Sequence, residues 1–306
     1  MSSERESFEP TPIIRQFATI LRPDDAEPPV LARNVRESVH QWFTELQSEK
    51  ELEQVNLKPR RTCIMGGPPG CGKTTLGHHL AARQGLPVVV VDMASLVSKW
   101  LGESGRNIRD LFRDLFAQIE TQADLCVLFL DEFDAVGIKR MSNGSGADNE
   151  RNAIVVTILQ QIDRFSGTLL AATNRPDDID PAIWRRFGVH LDIGIPDDDC
   201  RYAIIARYLS PLTLPEEAID KLVKFTAGAT PALLRQLMEG VRRDLVLAPK
   251  FKRDTSALAV FRRVITSVRP HADMTIPELW GDRKALDEVS KIAWPPEWPS
   301  GRGTGE

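Results

Sequence analysis

The sequence predicts an α/β fold, with a parallel five-stranded sheet between layers of helices, followed by a small all-α domain. Five short apolar runs between residues 62 and 195 alternate with stretches of helical periodicity. Apolar strands that alternate with amphipathic helices are typical of a parallel sheet covered on both faces. After Pro196 the pattern becomes purely helical. A chain of 306 residues is long enough for one large and one small domain.

The N-terminal residues 1–34 are predicted to form a flexible segment, because the first 30 residues carry five prolines and many charges. Apolar residues then recur at helical spacing from about Val30 to Val55, which predicts an amphipathic helix before the first strand. We assign residues 35–196 to the α/β domain. Its five strands are expected at Thr62–Met65, Val88–Val91, Cys126–Leu130, Leu169–Ala172 and Leu191–Ile195.

The helical domain is assigned to residues 197–281, and residues 282–306 are predicted to be a mobile tail. The tail contains the run Trp-Pro-Pro-Glu-Trp-Pro and ends in a glycine-rich terminus. The helices of the small domain follow from apolar residues at helical spacing. They are expected at Cys200–Leu209, Glu216–Thr226, Pro231–Leu247 and Ala257–Val268.

Composition indicates a cytoplasmic protein without a membrane partner. The N-terminus lacks the apolar core of a signal peptide, and no apolar run reaches the length of a membrane span. The four cysteines form no CxxC pair, which suits a reducing compartment. A net charge of -4 provides no general attraction to a polyanion, so nucleic acid is not an expected partner.

A glycine-rich segment follows the first predicted strand. Residues 67–74 read GPPGCGKT, which fits the GxxxxGK[ST] phosphate loop between a strand and a helix. Glycines let the backbone curl so that its N–H groups point at phosphates, and the next helix turns its positive end toward them. The motif therefore predicts a P-loop NTPase that binds ATP and Mg²⁺. We expect the nucleotide contacts from Gly67, Pro68, Pro69, Gly70, Cys71, Gly72, Lys73, Thr74 and Thr75.

Two acids follow the third predicted strand. Asp131 and Glu132 come directly after a buried apolar run, which places them at the edge of the sheet where open α/β sheets bind ligands. We expect Asp131 to hold Mg²⁺ together with the Thr74 hydroxyl. Glu132 is placed to polarise the attacking water, because phosphoryl transfer depends on positioning and charge stabilisation.

Four segments together resemble the AAA ATPases. GPPGCGKT, FLDEFDAVG, AATNRPDDIDPAIWRRF and FTAGATPALLRQL occur in that family's order and at its intervals, and the resemblance extends from about Val35 to Gly281. It identifies the first two segments as Walker A and Walker B motifs and the helical domain as a lid. It also implies that Asn174 helps to orient the hydrolytic water. Gly228 and Ala229 resemble the family's contact near adenine and ribose, although a simple helix cap is the alternative.

The resemblance further implies a ring. Arg185 and Arg186 resemble arginine fingers that reach the γ-phosphate of a neighbouring subunit, whereas a solvated helix end is the alternative. A finger that acts in trans requires ATP sites between subunits, so a homo-oligomer, by family likeness a hexamer, is expected. Trp100, Leu101 and Gly102 resemble the pore loop with which protein-translocating rings grip a substrate, although a lone tryptophan is usually a core residue.

Some family features are absent. The Asp-Ile-Gly-Gly box before the phosphate loop is missing, and no metalloprotease motif occurs in the sequence. We expect no separate N-terminal substrate domain. The chain most resembles small bacterial single-ring members, some of which are encoded next to subtilisin-like proteases. A subtilisin-like protease or another effector is therefore an expected partner.

Three functions are compatible with these motifs. The first is an ATP-hydrolysing motor that remodels, unfolds or translocates a protein substrate. The alternative is a nucleotide-switched regulatory ring that activates a partner protease or effector without threading substrate. A clamp-loader or initiator that acts on DNA is disfavoured by the acidic balance of the chain and by Trp100.

Overall fold

The computed structural model describes residues 8–98, 105–136, 146–270 and 275–298. The chain forms two compact units, which we name the α/β unit and the helical unit. The α/β unit comprises Met1–Pro29, Arg33–Pro68 and Gly72–Gly194, and the helical unit comprises Val30–Ala32, Pro69–Cys71 and Ile195–Glu306. Within the described ranges, no helix combines the length and the apolarity that crossing a membrane requires.

A six-stranded sheet forms the centre of the α/β unit. Its strand order is β1-β3-β4-β5-β2-β6, and every neighbouring pair is parallel except β1 and β3. The predicted parallel α/β sheet is thus confirmed, with one more strand than expected. The strands are β1 Ala18–Leu21, β2 Thr62–Gly66, β3 Val88–Asp92, β4 Val127–Asp131, β5 Leu169–Thr173 and β6 Val189–Asp192.

The additional strand lies in the segment that the sequence predicted to be flexible. Strand β1 pairs antiparallel with β3, and the preceding helix α1 (Pro12–Phe17) buries Ile14 completely in the core. The prediction of a flexible segment is therefore wrong from Pro12 to Asp25. The prolines do not prevent this structure, since Pro12 begins α1 and Pro23 begins a 3-10 turn, where a backbone N–H needs no partner.

The last strand also differs from its predicted bounds, because β6 begins at Val189 and not at Leu191. Its side chains alternate, with Val189 and Leu191 buried and His190 and Asp192 exposed. An edge strand with one covered face shows this alternation, whereas the prediction sought a continuous apolar run. The central strands β4 and β5 are almost entirely buried, as continuous apolar runs predict.

Helices surround the sheet of the α/β unit. The core combines sheet residues with apolar side chains of α6 and α7, among them Phe112, Leu115 and Ile158, which are fully buried. This packing fixes the central strands, so that the residues at their carboxyl ends are held on a rigid frame. The helices of this unit are α1, α2 Arg33–Gln47, α3 Glu49–Glu53, α4 Lys73–Arg83, α5 Met93–Ser98, α6 Gly105–Glu120, α7 Gly146–Arg164 and α8 Pro181–Trp184.

The helical unit has its own core. Buried residues of its helices, including Leu234, Leu237 and Phe261, form one apolar cluster. Its long helix α11 begins at Pro231, where the Thr230 hydroxyl caps the amide of Leu233 at 3.3 Å. The helices are α9 Asp198–Leu209, α10 Glu216–Phe225, α11 Pro231–Leu247, α12 Ala257–Ser267, α13 Glu278–Gly281 and α14 Arg283–Val289.

The C-terminal segment packs onto the helical unit up to Trp298. Val289 and Ile292 are buried, and the Trp294 indole donates to the carbonyl oxygen of Thr255 at 2.6 Å. A β-bridge joins Glu297 to Thr213. The prediction of a mobile tail is therefore wrong for residues 282–298, because apolar side chains between the prolines find a place in the core. Residues 299–306 lie outside the described residues.

Candidate nucleotide site

Three neighbouring strands bring the predicted site residues together. In the sheet, β4, β5 and β2 lie side by side and run parallel. Asp131 ends β4, Asn174 follows β5, and the phosphate loop follows β2. Because parallel strands end at the same edge, polar residues that are far apart in sequence meet at this edge of the α/β unit.

The phosphate loop has a backbone that only glycine adopts easily. Gly67 has a φ of 144° and Gly72 a φ of 89°, both in the left-handed half of conformational space. A Cβ atom on Gly67 would lie 2.1 Å from the backbone oxygen of Ile193, so no side chain fits there. Helix α4 begins at Lys73, directly after Gly72, and Thr74 and Thr75 lie in its first turn. Residues 69–71 belong to the helical unit.

Lys73 is the buried cation of the site. Its ammonium donates to the carbonyl oxygens of Gly67 and Pro68 at 2.7 and 2.9 Å, and to Oδ1 of Asn174 at 2.8 Å. The residue is only 7% exposed. Three oxygen acceptors compensate the ammonium for the loss of water, and they hold it between the phosphate loop and the end of β5.

Thr74 and Asp131 form a second contact between the loop and the sheet. The Thr74 hydroxyl donates to Oδ2 of Asp131 at 2.8 Å, and Oδ1 of Asp131 accepts the amide of Glu132 at 2.9 Å. Hydroxyl and carboxylate oxygens are the protein ligands that Mg²⁺ prefers. The donor set of this pair therefore suits the magnesium ion that the sequence predicts.

Glu132 stands in an unusual backbone conformation beside other acids. Its φ of 50° is rare for a residue with a side chain, and such conformations concentrate at functional sites. Burial, followed by the negative charges of Asp92, Asp131 and Asp134, raises the pKa of the Glu132 carboxyl above its ordinary value. A carboxylate with a raised pKa is a stronger base than an ordinary glutamate.

Asp134 is a site residue that the sequence analysis did not single out. Its Oδ1 accepts hydrogen bonds from the Thr173 hydroxyl and from the amide of Asn174, both at 3.0 Å. Asn174 in turn accepts from Lys73, so Asp134 positions the residue that holds the lysine. The acid stands in the FLDEFDAVG segment, but the sequence pattern gives no direction for its side chain.

Arg185 and Arg186 are exposed just after α8 and engage groups of their own chain. Arg186 pairs through Nε with Oδ1 of Asp163 at 2.7 Å, and Arg185 donates to the carbonyl oxygen of Pro181 at 3.0 Å. Neighbouring Phe187 is buried and meets Phe133 edge-on, with ring centroids 5.9 Å apart. Within the described residues, no hydrogen bond or ion pair joins either arginine to Asp131, Glu132 or Asn174, so the structure does not gather the two arginines into this site.

The remaining predicted site residues are Gly228, Ala229 and the segment from Trp100 to Gly102. Gly228 and Ala229 belong to the helical unit, in the turn between α10 and α11. The φ of Gly228 is 84°, and the amide of Ala229 donates to the carbonyl oxygen of Thr226 at 2.9 Å. This local turn is compatible with the helix-cap alternative, and the contact near adenine and ribose stays a prediction. Trp100, Leu101 and Gly102 lie outside the described residues.

Comparison with known families assigns the central part of the chain. Residues 63–195 match the profile described as "ATPase family associated with various cellular activities (AAA)". The matched range contains the phosphate loop, the acids after β4, Asn174 and both arginines. These residues are an AAA ATPase domain.

Similar proteins extend the match beyond the AAA domain. The "Probable 26S proteasome regulatory subunit 10B" of Caenorhabditis elegans is 32% identical over 214 residues, which is 68% of this chain and 52% of that protein. A "Proteasome-activating nucleotidase" of Methanopyrus kandleri is 31% identical over 224 residues, which is 69% of this chain and 50% of that protein. The chain thus spans about half the length of these curated relatives.

A solved structure supports the fold. The crystal structure of the FIGL-1 AAA domain in complex with ADP aligns with a TM-score of 0.64 and covers 94% of this chain and 97% of that one. Sequence identity is 21%, so the likeness concerns the fold: a mostly parallel α/β sheet followed by a helical region. The prediction of an AAA domain within a P-loop NTPase fold is confirmed.

Proposed function

We propose that the chain is an ATP-hydrolysing motor that works as a ring and remodels, unfolds or translocates protein substrates with the help of a partner protein. The observation that supports ATP hydrolysis is a pair of hydrogen bonds between the phosphate loop and the ends of two strands. Lys73 reaches Asn174 at 2.8 Å. Thr74 reaches Asp131 at the same distance. The loop, the acidic strand end and the polar residue after β5 thereby form one connected arrangement, as phosphoryl transfer requires.

Each residue has a proposed role. The phosphate loop binds the phosphates through its backbone amides, and Lys73 balances the charge of the β- and γ-phosphates. Thr74 and Asp131 would hold Mg²⁺, which supplies charge neutralisation when bound. Glu132 orients and deprotonates the attacking water, while Asn174 positions that water. Gly228 and Ala229 are proposed to lie near the adenine and ribose, by resemblance to the family.

Replacing Glu132 with Gln tests the catalytic proposal. The amide retains the size of the side chain but cannot accept the proton, so kcat should fall by about 10²- to 10⁴-fold. Calorimetric titration should show nearly unchanged ATP affinity, since the binding groups remain. Glu51→Gln, an exposed change on α3, serves as the matched control. Turnover of Glu132→Gln within a few-fold of the parent would remove Glu132 from this role.

The ring rests on Arg185 and Arg186. Their exposure leaves them accessible to a neighbouring copy, and the contact with Asp163 holds the Arg186 side chain in one place. We propose that they act as fingers in trans within a homohexamer, because within the described residues neither arginine bonds to Asp131, Glu132 or Asn174 of its own chain. A finger of this kind stabilises charge on the transferred phosphate.

The partner is proposed to be a protease or another effector. Two relatives carry names that link them to proteasomes, one as a regulatory subunit and one as an activator. These names support a proteolytic partner for the motor. The names of these relatives mention neither a subtilisin-like protease nor a cytoplasmic location. Both therefore stay predictions from the sequence.

Trp100→Ala separates the motor from the regulatory switch. If the indole grips a translocating chain, the variant should keep basal hydrolysis but lose both stimulation by unfolded protein and unfolding of a tagged fluorescent substrate. A core tryptophan would behave differently, since its truncation costs about 3–5 kcal/mol and every activity would fall together. Full partner activation without any effect on substrate unfolding would instead support the switch.

A further inference from the structure

The helical unit carries a concentration of positive charge that the ATPase site does not use. Between Arg242 and Arg263 the sequence contains seven basic and two acidic residues, although the whole chain has a net charge of -4. These residues lie on the end of α11, the following turn and α12. The charge is therefore local to one segment of the helical unit.

A groove with a volume of about 710 Å³ runs along the C-terminal half of α11. A second depression of about 480 Å³ adjoins it, because Arg243 and Leu247 line both. We name the two together the lid groove. Its first part is lined by Pro211, Leu212, Glu239, Arg242, Arg243, Val246, Leu247 and Trp298.

The acids that line the lid groove are already paired. Glu239 bonds to Arg235 at 2.8 Å, and Asp244 bonds to Arg263 at 2.6 Å. Arg243 forms no ion pair within the described ranges of the chain, and the same holds for Arg262. An excess of uncompensated guanidinium groups attracts carboxylates, with which arginine forms two parallel hydrogen bonds.

Exposed apolar side chains accompany these arginines. Of the nine large hydrophobic residues exposed in the described chain, four lie in the lid groove. Val246 is 46% exposed and Trp298 43%, while the Phe251 ring lies under the Arg253 guanidinium at 4.7 Å. Scattered exposed hydrophobic residues need no explanation, whereas a cluster in a concave surface is typical of a protein-binding site. The four exposed hydrophobic residues of the lid groove are thus Val246, Leu247, Phe251 and Trp298.

We propose that the lid groove binds an acidic segment of a partner protein that inserts aliphatic or aromatic side chains between the arginines. Charge complementarity selects the acidic partner, and the aliphatic lining selects a protein. A nucleic acid would use the arginines but would gain nothing from the exposed aliphatic side chains of Val246 and Leu247. The proposal goes beyond the motor function, because it holds whether or not the chain hydrolyses ATP.

The test measures binding of a designed peptide to the full-length chain by fluorescence anisotropy. The probe is a labelled peptide of about 14 residues with leucine at helical i, i+4 spacing and glutamate at its other positions. Its control has glutamine in place of every glutamate. Binding should be confined to the acidic peptide and should weaken as salt is raised from about 50 to about 300 mM, because exposed charges are screened.

Two variants locate the binding site. The double change Arg243→Glu with Arg262→Glu should weaken peptide binding at least about ten-fold, because two attractive charges become repulsive. Val246→Asn should weaken it as well, through the apolar contact. Arg283→Glu makes the same charge change on an exposed residue of α14 outside the groove and should have no effect. Thermal unfolding of each variant verifies that the chain remains folded.

Three results would overturn the proposal. The first is that the acidic peptide binds the charge-reversed variant as tightly as the parent, or binds neither. The second is that a single-stranded DNA 20-mer displaces the acidic peptide at equal concentration, and that the binding of this DNA is lost when the same arginines are reversed. That result would make the groove a nucleic-acid site. The third is that charge reversal alters the sedimentation of the chain alone while peptide binding is unchanged, which would make a second copy the occupant. ATPase assays of the parent are independent of all three.

Discussion

Single residues in the ATPase site are linked in a series that runs from Asp134 through Asn174 to Lys73. Asp134 accepts the amide of Asn174 at 3.0 Å, and Asn174 accepts the ammonium of Lys73 at 2.8 Å. Neither Asp134 nor its other donor, Thr173, belongs to the phosphate loop. The position of the loop lysine therefore depends on a carboxylate 61 residues later in the sequence.

Asp134 is expected to act as a positioning residue. Asp134→Ala removes the acceptor of both the Thr173 hydroxyl and the Asn174 amide, so kcat should fall by about ten-fold or more while ATP affinity changes little. Asp134→Asn retains one acceptor oxygen and should restore most of the rate. Steady-state kinetics and ATP titration measure the two effects separately. Equal rates for Asp134→Ala and the parent, or no difference between the two variants, would exclude this role.

Residue identities in the site were predictable where a local pattern specifies them. The phosphate loop names Lys73 and Thr74, and the apolar strand points to Asp131, because these roles depend on residues close in sequence. Contacts across the fold were not predictable in this way. The sequence contains no local signal that Arg186 meets Asp163, since that pairing arises only when α7 packs near α8.

At the scale of elements, helix α2 is hydrogen-bonded to Arg60, which lies just before strand β2. The Trp42 indole donates to the carbonyl oxygen of Arg60 at 2.6 Å, and Oε1 of Glu45 accepts the Arg60 amide at 2.7 Å. Hydrogen bonding from the Arg60 side chain to Glu45 lowers the pKa of that carboxyl, against the opposing effect of burial. These contacts hold α2 against a residue that lies just before β2, the strand that leads into the phosphate loop.

The lowered pKa of Glu45 predicts a pH-dependent contribution to stability. A carboxyl whose pKa is lower in the folded than in the unfolded state stabilises the fold above its unfolded pKa, and the effect is lost as pH falls through the folded pKa. Glu45→Gln should therefore reduce the free energy of unfolding at pH 7 by about 1 kcal/mol, a modest value because Arg60 is half-exposed.

Urea denaturation of the parent and of Glu45→Gln at several pH values provides the measurement. The difference in unfolding free energy should narrow as the pH is lowered below the ordinary range of glutamate. Glu53→Gln, an exposed change on α3, should show no such trend. If the difference in unfolding free energy between Glu45→Gln and the parent were constant with pH, the ion pair between Glu45 and Arg60 would not be the cause of that difference.

Strands and helices with a strong internal pattern were predicted from the sequence, whereas elements that depend on a distant neighbour were not. Strands β2 to β5 are apolar runs that any parallel sheet would bury. Strand β1 has only four residues and is stable because β3 offers it an edge. The segment from Asp282 to Trp298 was likewise read from its prolines, while its structure depends on Trp294 and Ile292 meeting the helical core.

At the scale of the whole molecule, the AAA ATPase domain is expected to work as part of a ring. The domain is established by residues 63–195, and the site residues Lys73 and Asp131 lie within it. A finger in trans acts on ATP that is bound by a neighbouring subunit, so the contact of Arg186 with that ATP exists only in an assembly. Function in trans must therefore be tested on assemblies.

A mixture of two inactive variants tests directly whether Arg186 acts on the ATP site of a neighbouring subunit. Lys73→Ala should lose nucleotide binding, and Arg186→Ala should bind ATP but hydrolyse it about 10³-fold more slowly. Arg113→Ala, which removes an exposed arginine of α6, is the control for Arg186→Ala and should hydrolyse ATP at the parent rate. Native mass spectrometry identifies the concentrations at which mixed assemblies form.

In an equal mixture, about one interface in four combines an intact phosphate loop with an intact finger, so the rate should rise to as much as about a quarter of the parent rate. The measurement is phosphate release from the mixture compared with release from each variant alone. A rate well above the sum of the separate variants is the result that a ring with fingers in trans predicts. A rate equal to that sum, where mixed assemblies are present, would contradict it.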